Sequence, residues 1–354
     1  MKILADHSLP DLTKLFSSSF EVNTYSSASE LHTLIKEHQI LLCRSSLKIN
    51  AQLLKGTPIQ CVATASSGIN HVDNDYLNKH GIELFSAKGA NADSVADYVV
   101  CNIALLQKNK RLPGYSAGII GYGEVGQRVA ARMRAMGFSV LIFDPPRACY
   151  DEKESYCELN DLFDCNLICI HASLHDCPPY PSQHMINSDF LGKLADKTVL
   201  INAARGDIVD EQAMLQLKQK ITYCTDVFSH EPNINSKIVD YSYLCTPHVA
   251  GHSIEAKINA VTQLSEQLHR FYQKKPSYQT VASSVHAIKP HLNWQELVLS
   301  IYNPNHESQL LKAAVDKKAT FSALRMAHQH RHDFNVICAD QLDKTTQLIL
   351  GITS

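Results

Sequence analysis

The sequence predicts an α/β protein centred on a doubly wound parallel sheet. Three observations predict it. Short apolar runs recur at 117–120, 139–143, 167–171, 198–202, 221–227 and 243–246, as strands buried on both faces do. Amphipathic stretches of helical period lie between most of them. The first run ends in a glycine-rich turn, Gly121-Tyr122-Gly123-Glu124-Val125-Gly126.

Taken in order, residues 2–6 (KILAD) read as an opening strand, with further buried strands at 40–43 and 59–63. Together they make a small α/β domain of their own. Two polar loops follow its strands, one holding Arg44, Ser45 and Lys48 and the other Ser66 and Gly68. Ligands of open parallel sheets lie beyond the carboxyl ends of strands, so both loops are candidates to face a substrate. Arg44 and Lys48 suit an anionic group. Asn91 then caps a long apolar helix running through Leu106, and residues 108–116 form a polar linker.

The unit at 117–146 has a chemical reason for each part. The first glycine allows a tight turn, the second admits a pyrophosphate, and the third lets helix and strand pack closely. The helix that follows carries Val125, Val129, Met133 and Met136 on one face and stops at Gly137. Phosphates sit on free N–H groups at such a helix start. Asp144 ends the second strand, where its carboxylate accepts from ribose hydroxyls and repels a 2′-phosphate. The unit therefore predicts dinucleotide binding, with NAD preferred over NADP.

The bulk numbers bound the remaining classes. With 354 residues, two or three domains are expected. A formal net charge of −2 gives no electrostatic case for nucleic acid or an anionic membrane. The longest apolar stretch, 98–106, is far short of the ~20 residues of a membrane span, and no signal peptide is evident. Eleven cysteines with no C-x-x-C pair read as reduced core thiols of a cytoplasmic protein. His248 and His252 are four apart but lack an H-E-x-x-H pattern, so no metal is expected. His328, His330 and His332 are expected to be solvent-exposed at a helix end. Residues 280–354 form a small appended α/β module, with a strand expected at 334–338.

Three clusters at strand ends carry the chemistry: Ile201 to Glu211, Thr225 to Pro232 and Cys245 to Ser253. In a parallel sheet their loops emerge on one side, so Arg205, Glu231 and His248 can converge. Oxidising a hydroxy acid needs such a set. Histidine takes the hydroxyl proton, since it titrates near neutrality. A carboxylate orients the ring and favours the imidazolium. A guanidinium holds the substrate carboxylate through two donors.

With these residues, the chain resembles the D-isomer-specific 2-hydroxyacid dehydrogenases. Their pattern is G-x-G-x-x-G with a downstream Asp, then N-x-x-R-G-x-x-V-D, D-V-x-x-x-E-P and T-P-H-x-A-G, matched here at 121–126, 202–210, 226–232 and 246–251. The resemblance covers roughly residues 1–275. It implies a Rossmann domain for NAD at 93–254, inserted in a flavodoxin-like substrate domain at 1–92 and 255–280. A dimerisation module at 281–354 follows, giving a homodimer. It assigns Arg205, Glu231 and His248 to catalysis. Gly121, Gly123, Glu124, Val125, Gly126, Asp144, Ala172, Ala204, Asp226 and Gly251 go to the cofactor. Ser45, Ser66 and His252 go to the substrate, expected to be a phosphorylated 2-hydroxy acid. Arg44 and Lys48, judged from their charge and loop rather than from the resemblance, are the candidates for its phosphate clamp. His252 stands where a tyrosine is usual, and Ala172-Ser173 where a Thr-Pro pair is common. Alternatives are a sibling dehydrogenase of another 2-hydroxy acid, or an NAD(H)-sensing interaction protein of the corepressor kind.

Overall fold

The computed structural model describes residues 1–218, 221–276, 292–328, 331–337 and 342–352. The chain divides into two compact units. One is Met1–Asn91 with the described residues of 253–283, and the other is Ala92–His252 with the described residues of 284–354.

The first unit holds five strands: β1 (Lys2–Asp6), β2 (Glu21–Tyr25), β3 (Ile40–Cys43), β4 (Cys61–Thr64) and β5 (Glu83–Ser86). They pair in parallel in the order β2-β1-β3-β4-β5, the flavodoxin-like order. β3 and β4 are buried along their whole length. The edge strands β2 and β5 are new relative to the sequence expectation. Each is partly exposed, so neither shows a continuous apolar run. The helix Ile254–Phe271, capped by the Ser253 hydroxyl, lays Ala260, Val261, Leu264 and Leu268 on the cluster around Ile3, Phe16 and Ile40.

The second unit holds six parallel strands: β6 (Ser116–Ile120), β7 (Ser139–Phe143), β8 (Leu167–Ile170), β9 (Val199–Asn202), β10 (Thr222–Thr225) and β11 (Leu244–Cys245). Their order is β11-β10-β9-β8-β6-β7, and β6 pairs with both β7 and β8. The chain order therefore reverses at β6, where the glycine turn stands and where such sheets bind ligands. The helix Ala92–Lys108 is buried at nearly every position from Ala92 to Leu106, as a core helix must be. The helix Glu124–Ala135 buries Val129 and Met133 and ends before Gly137, whose φ of 88° accommodates the turn out.

The C-terminal segment differs from the α/β expectation among its described residues. It forms helices Trp294–Ile301, Asn305–Ala313, Lys317–Ala327 and Lys344–Ile349. Phe334–Val336 is a 3-10 turn rather than a strand, and residue 338 lies outside the described residues. The cause is local. Phe334 is fully buried and donates its N–H to the Asp97 carboxylate at 2.8 Å, which removes that donor from any ladder. Asp97 in turn pairs with buried Arg132. Leu297, Val298 and Tyr302 join the same core as the helix Ala92–Lys108, so this segment shares a core with the dinucleotide sheet.

No helix among the described residues is long and apolar enough to cross a membrane. The described cysteines are unpaired, and burial pushes the Cys43 thiol up to about 12.

Candidate active site

The glycine turn is built as its motif requires. Gly121 has φ 91°, and a Cβ there would meet the Ala172 nitrogen at 2.5 Å. A Cβ at Gly126 would meet the Gly121 carbonyl oxygen at 2.0 Å, so turn and helix touch without side chains. At Gly123 a Cβ would meet nothing within 4 Å, which leaves the helix start open to a ligand. Asp144 accepts from Tyr122 N–H at 2.7 Å and Arg147 N–H at 3.0 Å. The acid thus ties the end of β7 to the glycine turn, with acceptor positions left for ribose hydroxyls. A cleft of about 420 Å³ lined by Tyr122, Gln127, Arg147 and Asp151 lies beside it. These residues fit a dinucleotide.

The loop after β9 carries Arg205. Buried Asn202 fastens it, accepting from Ala204 N–H at 3.1 Å and donating to the Arg205 carbonyl at 2.9 Å. Gly206 lets it approach the loop after β10, for a Cβ there would lie 2.0 Å from the Phe228 carbonyl carbon. The Arg205 guanidinium donates to the Ala204 carbonyl at 2.7 Å. Burial and the charge of Arg325 pull its pKa down, while Glu231 supports the cation.

The loop after β10 carries Glu231, whose Oε1 accepts from Phe228 N–H at 2.9 Å. Its Oε2 lies 2.6 Å from Nδ1 of His248. Burial opposes ionisation of Glu231. Nevertheless the charge and hydrogen bond of His248, the Phe228 N–H and the charge of Arg325 hold the carboxyl below its usual range. An ionised carboxylate only accepts, so His248 donates its Nδ1–H and leaves Nε2 free.

Asp226 organises the third loop. Its Oδ1 accepts from the Thr246 hydroxyl at 2.7 Å and Val249 N–H at 2.9 Å, and its Oδ2 from Ala250 N–H at 2.8 Å. His248 adopts φ 56°, and its N–H donates to the Asp226 carbonyl at 2.7 Å. A non-glycine residue in left-handed backbone costs on the order of 1–3 kcal/mol and persists only when its surroundings over-determine it. Asp226 supplies that determination.

The structure thus brings Arg205, Glu231, His248 and Asp226 onto adjoining loops of one unit. His252 and Gly251 belong to the same unit. Burial, and after it the charge of Arg325, hold His252 well below its usual pKa, hence neutral. Arg44, Ser45, Lys48 and Ser66 belong to the other unit. There Arg44 Nε lies 3.0 Å from Asp6 Oδ2, so part of its charge is already answered. Lys48 and Ser45 are exposed.

His328 corrects the expectation of an exposed histidine. It caps the helix Lys317–Ala327, its side chain is 8% exposed, and its Nδ1 lies 2.8 Å from Glu307 Oε1. His330 lies outside the described residues. Residue spacing gave no role to Glu211, which accepts from Ser229 N–H at 2.9 Å, and did not single out Arg325, whose Nη1 is 3.6 Å from Glu231 Oε2. Glu211 directly follows the motif at 202–210, at the end of the first cluster, which is the signal for it. Nothing local marks Arg325.

Residues 92–250 match the family model of the D-isomer specific 2-hydroxyacid dehydrogenase, NAD binding domain. An erythronate-4-phosphate dehydrogenase of Legionella pneumophila subsp. pneumophila is 47% identical over 94% of this chain and 95% of its own length. The chain belongs to the D-isomer-specific 2-hydroxyacid dehydrogenase family. It is an NAD-dependent oxidoreductase of that family. A Coxiella burnetii erythronate-4-phosphate dehydrogenase is 32% identical over 99% of this chain and 97% of its own. Among solved structures, the NAD⁺-bound 3-phosphoglycerate dehydrogenase of Entamoeba histolytica superposes with a TM-score of 0.66 at 21% identity. That match covers 98% of the amoebal chain but 79% of this one, so about a fifth of this chain lies outside it.

Proposed function

We propose that the protein oxidises 4-phospho-D-erythronate at its 2-hydroxyl to 3-hydroxy-2-oxo-4-phosphooxybutanoate, within the biosynthesis of pyridoxal 5′-phosphate. One observation carries the choice of substrate. The erythronate-4-phosphate dehydrogenases align over 94% and 99% of this chain, including length beyond the reach of the phosphoglycerate enzyme's fold.

Bound NAD supplies the hydride acceptor. His248, held by Glu231 through Nδ1, receives the hydroxyl proton at Nε2 as the carbonyl forms. The growing positive charge on the imidazole is met by a carboxylate that is already ionised. Arg205 receives the substrate carboxylate through paired donors and polarises the reacting oxygen. Asp226 keeps the His248 loop in place and offers its remaining acceptor capacity to the nicotinamide amide. Gly121, Gly123, Glu124, Val125 and Gly126 hold the pyrophosphate, and Asp144 the adenosine ribose. Ala172, Ala204 and Gly251 supply backbone walls. His252, Ser45 and Ser66 contact the substrate, while Arg44 and Lys48 take its phosphate.

The protein acts in the cytoplasm as a homodimer through its terminal helices. An apolar groove on the helices Asn305–Ala313 and Lys317–Ala327, lined by Leu310, Ala314, Ala323 and Ala327, supports that arrangement. The test of function is a panel of 2-hydroxy acids with NAD, followed by absorbance of the reduced cofactor. 4-Phospho-D-erythronate should give the highest kcat/KM. A higher value for phosphoglycerate or glycerate would assign a sibling activity. Tight NADH binding without turnover of any acid would assign a sensor.

A further inference from the structure

We propose that Arg325, carried by the helix Lys317–Ala327, is a positioning residue for the His248–Glu231 pair. It shares Oε2 of Glu231 with the imidazole and limits how strongly that carboxylate draws a proton onto His248. The inference rests on His248 being the acid/base.

The geometry is specific. Glu231 Oε2 faces two partners, His248 Nδ1 at 2.6 Å and the Arg325 guanidinium, whose Nη1 lies at 3.6 Å. The first distance is a hydrogen bond; the second is an ion pair without one. The helix is registered on the very loop that carries the carboxylate. One turn before Arg325, on the same helix face, Phe321 is buried and meets the Phe228 ring edge-on with centroids 6.1 Å apart. Phe228 in turn donates the N–H that fixes Glu231 Oε1. Phe321 therefore sets the register, and Arg325 delivers charge at the next turn.

The charges facing the pair from each neighbouring element give the sign. Arg205 comes from the loop after β9, and Glu211 from the helix Glu211–Gln216. Asp226 comes from the end of β10, its oxygens already occupied by one hydroxyl and two backbone N–H groups. His252 lies beyond His248 with His328 and Arg331 around it, and is held neutral. Glu307 is taken up by His328. Without Arg325, Glu231 would act on the imidazole with less opposition, and the base would be protonated up to a higher pH. Arg325 and Glu231 thus push the acid limb of the oxidation in opposite directions.

The experiment is the pH profile of kcat/KM for 4-phospho-D-erythronate with NAD, using the intact protein. Wild type is compared with Arg325→Met, Arg325→Gln, Arg325→Lys and Glu231→Gln, each checked for folding by thermal melting. Arg325→Met and Arg325→Gln should move the acid limb upward by on the order of half a pH unit or more. Arg325→Lys should restore it, and Glu231→Gln should move it downward. An unmoved limb in the folded neutral variants overturns the proposal. A raised KM with an unmoved limb would make Arg325 a substrate ligand instead. Loss of folding in both neutral variants would make it a structural residue. If Glu231→Gln itself leaves the limb in place, the catalytic pair is wrong and this inference falls with it.

Discussion

Nδ1 of His248 lies 2.6 Å from Oε2 of Glu231, although seventeen positions of chain separate them. Two loops from neighbouring strands, β10 and β11, bring them together. The backbone at His248 is left-handed, with φ 56°, and is fixed by its bond to the Asp226 carbonyl. The ring is thus oriented from both ends before any substrate arrives.

Replacing Glu231 by glutamine removes a charge that favours proton uptake by the ring. The acid limb of the oxidation should move to lower pH, with kcat down roughly tenfold to a hundredfold. The same substitution has a stability signature. The Glu231 carboxyl titrates below its usual range in the folded protein, so the unfolded chain binds that proton more readily. Its contribution is fully present above the ordinary carboxylate value and is lost as pH falls through the depressed one. Melting curves of wild type and Glu231→Gln should therefore converge as pH falls through the ordinary carboxylate value and then the depressed one below it.

Gly206→Ala tests the packing that delivers Arg205. The added Cβ would sit 2.0 Å from the Phe228 carbonyl carbon and 2.4 Å from the Ser229 nitrogen, both backbone atoms. Backbone cannot swing aside as a flexible side chain can. The variant should lose about 1–3 kcal/mol of stability, read by denaturant unfolding. It should also lose kcat/KM by at least about tenfold, since Arg205 and Glu231 separate together.

Asp144→Ala tests the cofactor side. The substitution deletes acceptors for the Tyr122 and Arg147 N–H groups and the negative charge at the end of β7. Kd for NADH should rise by about tenfold or more, and discrimination against NADPH should shrink. Fluorescence titration of both nucleotides reads each effect.

The parts of this fold that were legible in the sequence are the ones buried on both faces. β3, β6, β8 and β9 are continuous apolar runs because no face of them meets water. Edge strands β2 and β5 carry polar residues such as Asn23 and Glu83, and the pattern hides them. The candidate site residues Arg205, Glu231 and His248 were legible for another reason: each stands a short way beyond a strand end, which one sheet turns into proximity. Arg325 and His328 reach the site from a helix far along the chain, through tertiary packing that no local pattern records. Phe334 was misleading because Phe334-Asn335-Val336-Ile337, with three apolar residues in four and a β-branched end, suits a strand. The donor that a strand would use goes instead to buried Asp97.

The most direct measurement is kcat for His248→Asn on 4-phospho-D-erythronate, paired with its Kd for NADH. Loss of the proton acceptor should lower kcat by roughly 10²–10⁴-fold while nucleotide affinity stays at the wild-type value. A kcat within a few-fold of wild type, at full NADH affinity, would contradict the account.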